Sequence, residues 1–270
     1  MLRTETGKDF IEAIARGMDV MRAFGPGRRT MTLTEVAEAT GLARPTARRI
    51  LLTFEELGYT RQRGGSWSLT PRVLELGTAY VQSQGLWDLA RPHMEDLVEQ
   101  TDESSSIAQL DGSDIVYVAR VAVPKIITFA VSIGTRFPAL QTSLGKVLLA
   151  SLPTAEVEQR LALPSRSGIV PRWVPTPEER EEELRTIRAR GWALADEHLA
   201  AGIRSAAVPL RNGAGEVIAA MNVTVHAAET SLETLTEAHL PRLIRAAGAI
   251  SEDLARRDAL PEVIADRAPS

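Results

Sequence analysis

Residues 32–69 contain two helix-forming segments separated by a glycine and followed by a hairpin with a Gly-Gly turn. Residues 32–35 (Thr-Leu-Thr-Glu) match a capping box, which begins a helix, and Gly41 suits the left-handed conformation of a tight turn. Residues 44–57 repeat apolar side chains at helical spacing, and Gly64-Gly65 separates two short alternating runs. This order of elements predicts a winged helix-turn-helix, whose second helix enters the major groove of DNA.

The second helix of this motif carries basic side chains on the face opposite its apolar stripe. A guanidinium can bond the O6 and N7 atoms of guanine bidentately, and arginines on the hairpin can contact phosphate or the minor groove. The alternative is that these arginines only solvate a helix face, but the combination of elements favours DNA binding. The predicted DNA-contacting residues are Arg44, Thr46, Arg48 and Arg49 on the helix and Arg61 and Arg63 on the hairpin.

Charge is distributed unevenly along the chain. Residues 1–84 hold 12 Lys and Arg against 9 Asp and Glu, a net charge of +3, whereas the rest of the chain has a net charge of −7. A basic N-terminal third is compatible with a polyphosphate partner. Charge alone leaves the choice between DNA binding and ordinary variation open.

Several classes of functional site are not supported by the sequence. Cysteine is absent, which excludes disulfides and thiolate metal sites, and the four histidines lack metal-ligand spacing. The GxSxG, HExxH and P-loop patterns are missing as well, so we predict no catalytic residue, metal or cofactor. No apolar run approaches a membrane span, and the N-terminus lacks the apolar core of a signal peptide. We therefore expect a cytoplasmic protein without a membrane partner.

Beyond residue 86 the pattern changes to strands in hairpins with helices between them. This predicts an α+β domain, an antiparallel sheet with packed helices. We expect three segments: a DNA-binding domain over 1–70, a linker helix over 71–85 and a larger domain over 86–260. The predicted strands are 104–110, 115–121, 126–133, 203–210 and 217–225. The predicted helices are 86–100, 144–152, 177–190 and a final helix that is capped by residues 230–233 and runs to about 257.

Most of the chain resembles the IclR-type transcription regulators. The segments that carry the resemblance are ARGMDVMRAF (15–24), TLTEVAEATGLARPTARRILLTFEELGY (32–59), LTPRVLELG (69–77), GTRFPAL (134–140), GKVLLA (145–150), EHLAAGIRSAAVPLRN (197–212) and AAMNVTVHA (219–227). The second helix and the GTRFPA segment resemble the branch that controls protocatechuate, β-ketoadipate and p-hydroxybenzoate catabolism. One departure is Ala43, which stands where many members have a capping serine.

The resemblance implies a GAF-like sensor domain that binds a small carboxylate, an aromatic acid or its ring-cleavage product. Asn222 and Thr224 are two residues apart and therefore share a sheet face. Arg204 and Arg136 are candidates for carboxylate capture because the guanidinium matches a carboxylate bidentately; a salt bridge for Arg204 and a turn for Arg136 are the alternatives. The effector-binding residues carried over from the family are Ser143, Leu144, Asp196, Ser205, Asn222 and Thr224, to which Arg204 is added.

Paired half-sites in an operator and the apolar stripe of the helix over 71–82 predict a homodimer. The resemblance implies that dimers pair into tetramers. Two other hypotheses for the function remain open. The chain could be an enzyme-like α/β domain fused to a DNA-binding module, or a structural DNA-binding protein without a ligand.

Overall fold

The computed structural model describes residues 7–25, 27–124 and 131–259. The chain divides into two compact units, residues 1–83 and residues 84–270. No helix in the described part of the chain is both long and apolar enough to span a membrane.

The first unit is a winged helix-turn-helix, as the sequence predicts. In its described residues, the strands form one antiparallel sheet in the order β1-β3-β2. The elements are α1 (Glu12–Ala23), β1 (Met31–Thr32), α2 (Leu33–Thr40), α3 (Arg44–Glu56), β2 (Thr60–Arg63), β3 (Ser66–Leu69), a short 3-10 turn (Pro71–Val73) and α4 (Leu74–Gln84).

Local sequence signals fix the ends of the helices that form the turn. The Thr32 backbone N–H donates to the Glu35 carboxylate at 2.6 Å, and Glu35 N–H donates to the Thr32 hydroxyl at 3.3 Å, which completes the capping box. Gly41 ends α2 with a φ of 68°, a value that glycine adopts without steric cost. Helix α3 begins at Arg44, and its N-cap residue Ala43 provides no side-chain hydrogen bond. Its orientation therefore depends on the packing of Ala47 and Leu51, which are both fully buried.

The second unit is built on a sheet whose described strands lie in the order β6-β5-β4-β9-β8-β7, all antiparallel. The elements are α5 (Leu86–Thr101), β4 (Ser104–Asp111), β5 (Asp114–Val121), β6 (Arg136–Pro138), α6 (Ser143–Ala150), α7 (Thr154–Leu161), α8 (Pro177–Arg190), β7 (Ala193–Asp196), β8 (Ile203–Arg211), β9 (Val217–His226), α9 (Leu232–Thr234), a π-helical turn (Leu235–His239) and α10 (Leu240–Ala259).

Alternate residues of this sheet enter two hydrophobic cores. Ile107 and Met221 face the core that also contains residues of α5 and α10. Ala108 and Ala220 face the core that contains α6. Every residue of α6 is buried, and a Cβ at Gly145 would lie 2.2 Å from the Ala139 carbonyl oxygen. The absence of a side chain at Gly145 thus lets α6 pack directly onto the preceding 3-10 turn.

Three short elements of the second unit were not predicted from the sequence. The strands β6 and β7 have three and four residues, too few for alternation to identify them, and α7 follows Pro153 without a capping box. Most of the predicted strand 126–133 lies outside the described residues. Within the predicted cap over 230–233, the N-cap residue is Ser231, whose hydroxyl accepts from Thr234 N–H at 3.0 Å. The helix that begins there is the short α9, and the π-helical turn joins it to α10.

Candidate functional site

The outward face of α3 presents the residues predicted to contact DNA. Arg44, Arg48 and Arg49 are exposed and Thr46 is partly exposed, while Ala47 and Leu51 anchor the opposite face in the core. Arg44 donates to the Thr34 hydroxyl of α2. No ion pair ties Arg48 or Arg49 to another residue in the described part of the chain, so both guanidinium groups can meet a partner outside the chain.

The hairpin of β2 and β3 is held at a fixed position beside α3. The Thr60 hydroxyl donates to the Leu51 carbonyl at 3.0 Å, and the Gln62 N–H donates to the Glu55 carboxylate at 2.9 Å. Arg61 and Arg63 are exposed on this wing. The structure thus places two basic groups on the wing next to a basic helix. With this arrangement the wing can contact phosphate while the helix lies in the major groove.

A cavity in the second unit lies on the α6 side of the sheet, with an empty volume of about 810 Å³ that includes its opening to solvent. The strand register places Ser205, Thr224 and Ser104 in one row across β8, β9 and β4. Asn222 and Ser106 occupy the next row. All of these strands contribute polar side chains to a surface that also contains Val131, Phe137 and Leu199. The cavity therefore presents both polar and apolar groups to a molecule that enters it.

Three of the predicted effector residues, Ser205, Asn222 and Thr224, line this cavity. The Asn222 side-chain carbonyl accepts from Ser106 N–H at 3.1 Å, and its amide donates to the Thr224 hydroxyl at 2.9 Å. Ser143 lies behind them, with its hydroxyl 2.7 Å from that of Ser205. These hydrogen bonds hold the polar side chains in fixed orientations before any ligand binds.

The other predicted effector residues lie elsewhere. Leu144 is fully buried in the core around α6. Arg204 donates to the Asp196 carboxylate at 2.5 Å, and neither residue is part of the cavity wall. Arg136 lies 2.7 Å from the Asp111 carboxylate and 3.4 Å from that of Asp114. Both arginines therefore have carboxylate partners within the chain.

A buried ion pair supports the wall of the cavity from the α6 side. The Lys146 side chain is fully buried, and its Nζ lies 2.5 Å from Glu183 Oε1 and 2.9 Å from His198 Nδ1. The His198 ring stacks on Trp173 with centroids 4.5 Å apart, and the Trp173 carbonyl accepts from the side chain of Gln141, which lines the cavity, at 2.9 Å. The cluster thus connects the cavity wall to the core.

Comparison with known proteins decides the family. Residues 13–64 match the IclR helix-turn-helix domain, and residues 78–252 match the Bacterial transcriptional regulator IclR C-terminal domain. The chain belongs to the IclR family. It is a DNA-binding transcription regulator with a C-terminal effector-binding domain.

Relatives named for aromatic catabolism are similar to this regulator. The Pca regulon regulatory protein of Pseudomonas putida is 36% identical over 239 residues, covering 88% of this chain and 82% of the relative. The p-hydroxybenzoate hydroxylase transcriptional activator of Acinetobacter baylyi is 32% identical over 247 residues, 90% of either chain. An IclR homolog from Microbacterium hydrocarbonoxydans, solved with 4-hydroxybenzoate, has a TM-score of 0.77 and 26% identity and covers 90% of this chain and 99% of its own. The expected branch is confirmed by these similarities.

Sequence reasoning missed two charged residues in the lining of this regulator's cavity, Glu103 and Arg120. Arg120 lines the cavity from β5 and donates to the Ser106 hydroxyl at 3.0 Å. A signal for it was present, because an arginine interrupts the otherwise apolar run Ile115–Val121. The alternation of β5 did not show which face it occupies, since a register shift between Ile107 and Ala108 changes the pairing of β4 with β5.

The His198 cluster predicts a pH dependence of this regulator's stability. Burial, reinforced by the Lys146 charge, holds the pKa of His198 below its ordinary value of 6.5. The unfolded chain takes up this proton below about pH 6.5 while the folded chain does not, so the stability is complete above that pH and falls as the pH falls below it. We expect the thermal unfolding midpoint of the full chain to fall less between about pH 7 and pH 5 in His198→Asn than in wild type. Asparagine keeps an acceptor for Lys146 but does not titrate, so equal pH slopes would contradict the prediction.

Proposed function

We propose that this regulator binds operator DNA through the residues of α3 and the wing, and that a small carboxylate in the cavity alters that binding. The effector is an aromatic acid or the product of its ring cleavage. The observation that carries the proposal is the cavity beside α6, where Ser205, Asn222 and Thr224 form a pre-oriented polar surface opposite apolar side chains.

The names of the relatives support this effector class. One relative regulates the pca regulon, another activates p-hydroxybenzoate hydroxylase, and a solved homolog holds 4-hydroxybenzoate. A single-ring acid has the two parts that the cavity provides for, a flat apolar body and polar groups at its edge.

The proposal assigns DNA binding to residues 1–70, the link between the two sites to the helix over 71–85 and effector binding to residues 86–260. It also includes a homodimer, and dimers that pair into tetramers. The exposed apolar side chains Leu74 and Leu76 of α4, 67% and 57% exposed, support self-association. Two recognition helices then face half-sites about one DNA turn, 34–36 Å, apart.

The test of the proposed function combines an effector titration with a variant of the cavity. DNA from the chromosomal region upstream of the gene is titrated with the full chain, with and without 4-hydroxybenzoate or protocatechuate, and binding is followed by fluorescence anisotropy. We expect one of these acids to change the affinity by about 5- to 150-fold. In Thr224→Val, which retains the shape of the side chain, the acid concentration for half the effect should rise at least about fivefold. The substitution removes a hydroxyl that can bind the acid and that also orients the Asn222 amide.

Ser105→Ala is the matched control for this variant. Ser105 lies on the neighbouring strand, its side chain points to the opposite sheet face, and its hydroxyl is buried without a hydrogen-bond partner among the described residues. Loss of the Ser105 hydroxyl should leave both the acid response and the DNA affinity unchanged. Absence of any response to aromatic acids or their ring-cleavage products in wild type would refute the proposed effector class. An unchanged response in Thr224→Val would show that the effector does not contact Thr224 of β9.

A further inference from the structure

Arg120 occupies a position where the strand register brings polar side chains from three strands together. Ser106 of β4 pairs with Arg120 of β5 on one side and with Asn222 of β9 on the other. The Arg120 Nη1 atom donates to the Ser106 hydroxyl at 3.0 Å, which fixes one edge of the guanidinium at the cavity wall. The other N–H donors of the Arg120 guanidinium make no hydrogen bond to a described residue.

The positive charge of Arg120 is not neutralised within the described part of the chain. No carboxylate there lies within ion-pair distance of its guanidinium, in contrast to Arg136 and Arg204, whose nearest carboxylate oxygens lie at 2.7 and 2.5 Å. The neighbouring Tyr117 does not supply a negative charge at neutral pH, because burial raises its pKa to about 12. Burial also lowers the pKa of Arg120, the direction expected of a cation whose solvation has been reduced without compensation.

We infer that Arg120 binds the carboxylate of the effector and thereby restricts the cavity to acids. The inference rests on the proposed function, that the cavity holds a small carboxylate, and it names the residue that selects for the charge. A partly desolvated guanidinium gains most from an anion whose two oxygens match two of its remaining N–H donors. Carboxylates have this geometry, while amides and alcohols of the same shape lack the charge.

The rest of the cavity determines the shape of the acid. Val131, Phe137 and Leu199 provide an apolar surface for a ring. Thr224 follows Asn222 by two residues on β9, a distance of about 7 Å along the strand. A ring whose carboxylate meets Arg120 beside Asn222 therefore directs a substituent on its far side toward Thr224 and Ser205. This arrangement favours aromatic monocarboxylates with a second polar group opposite the carboxylate.

The test compares an acid with its uncharged amide. Binding of 4-hydroxybenzoate and 4-hydroxybenzamide to the full chain is measured by isothermal titration calorimetry for wild type and Arg120→Gln. Glutamine can still donate to Ser106 but carries no charge. We expect Arg120→Gln to weaken acid binding by about 10- to 150-fold, the range for a lost hydrogen bond to a charged group, and to change amide binding by no more than about twofold.

Two further variants separate the possible outcomes. Arg136→Gln removes an arginine of the same domain that is already paired and should leave the acid-over-amide preference unchanged. Arg120→Lys keeps the positive charge and should bind the acid more tightly than Arg120→Gln, so the inference can be tested even if Arg120→Gln lowers the unfolding midpoint.

Equal losses for acid and amide in Arg120→Gln, or equal acid affinity in the glutamine and lysine variants, would overturn the role of Arg120. If wild type binds neither 4-hydroxybenzoate nor any other aromatic acid or ring-cleavage product, the proposed function itself fails.

Discussion

Replacing Glu183 by alanine is expected to destabilise the second unit by about 3–5 kcal/mol, because it leaves a buried ammonium group without its counter-charge. The Lys146 side chain is fully buried, and Glu183 Oε1 lies 2.5 Å from its Nζ. Trp173, whose ring centroid is 4.9 Å from the Lys146 Nζ, and His198 are the other groups around the ammonium. Neither carries a negative charge, so neither can replace the carboxylate. Urea-induced unfolding of the full chain, followed by circular dichroism, measures the loss.

Lys146→Met is the matched control for this prediction. It removes the buried charge and keeps an unbranched side chain, while Glu183, which is 28% exposed, can turn to water. Replacing a buried charge by an apolar side chain of similar volume is often tolerated, so the loss should be smaller than in Glu183→Ala. A larger loss in Lys146→Met would show that packing of the lysine stem, and not the compensation of its charge, governs the stability of α6.

Replacing Arg48 or Arg49 by alanine is expected to weaken operator binding by roughly 1–3 kcal/mol, or about 5- to 150-fold. Both side chains are exposed on α3 without an ion pair in the described residues, so no internal contact needs to break when DNA binds. Loss of a bidentate guanine contact should also relax specificity at one base position. Fluorescence anisotropy with the operator and with single-base variants of it measures both effects.

Two other arginines serve as controls for the loss of charge. Arg63→Ala should weaken binding to all sequences alike and flatten its salt dependence, as expected of a phosphate contact on the wing. Arg16 of α1 is already paired with Glu12 at 3.0 Å, and Arg16→Ala should change operator affinity little. If Arg48→Ala and Arg49→Ala both bind the operator like wild type, α3 is not the helix that reads the bases.

The first unit was predictable from its sequence because its signals act over a few residues. The hydrogen bonds between Thr32 and Glu35 span three residues, and Gly41 ends α2 at the position where the chain must turn. The pattern of apolar residues predicted the buried face of α3, and hence its exposed arginines. The α+β class of the second unit was likewise visible in its hairpins and helices, but β6 and β7 were too short to be recognised.

The contents of the cavity depended on long-range pairing. Asn222 and Ser106 are separated by 116 residues and meet only because β4 and β9 are neighbours in the sheet. Arg204 was a good candidate from its chemistry, and its partner Asp196 became evident only from the register of β7 with β8. Arg120 was overlooked because its position depends on the register shift between β4 and β5.

The sequence by itself determined the helix-turn-helix, its basic face and the family of the protein, since caps, glycine turns and apolar periodicity are local properties of the chain. The tertiary structure alone decided which charges are compensated. Arg120, Arg136 and Arg204 carry the same guanidinium group and do not differ in chemistry along the sequence. The fold supplies carboxylates to Arg136 and Arg204, but it places Arg120 at a cavity wall. The physical reason is that the interaction of a charge depends on the distance to other charges in space and on access to water, and neither is encoded in separation along the chain.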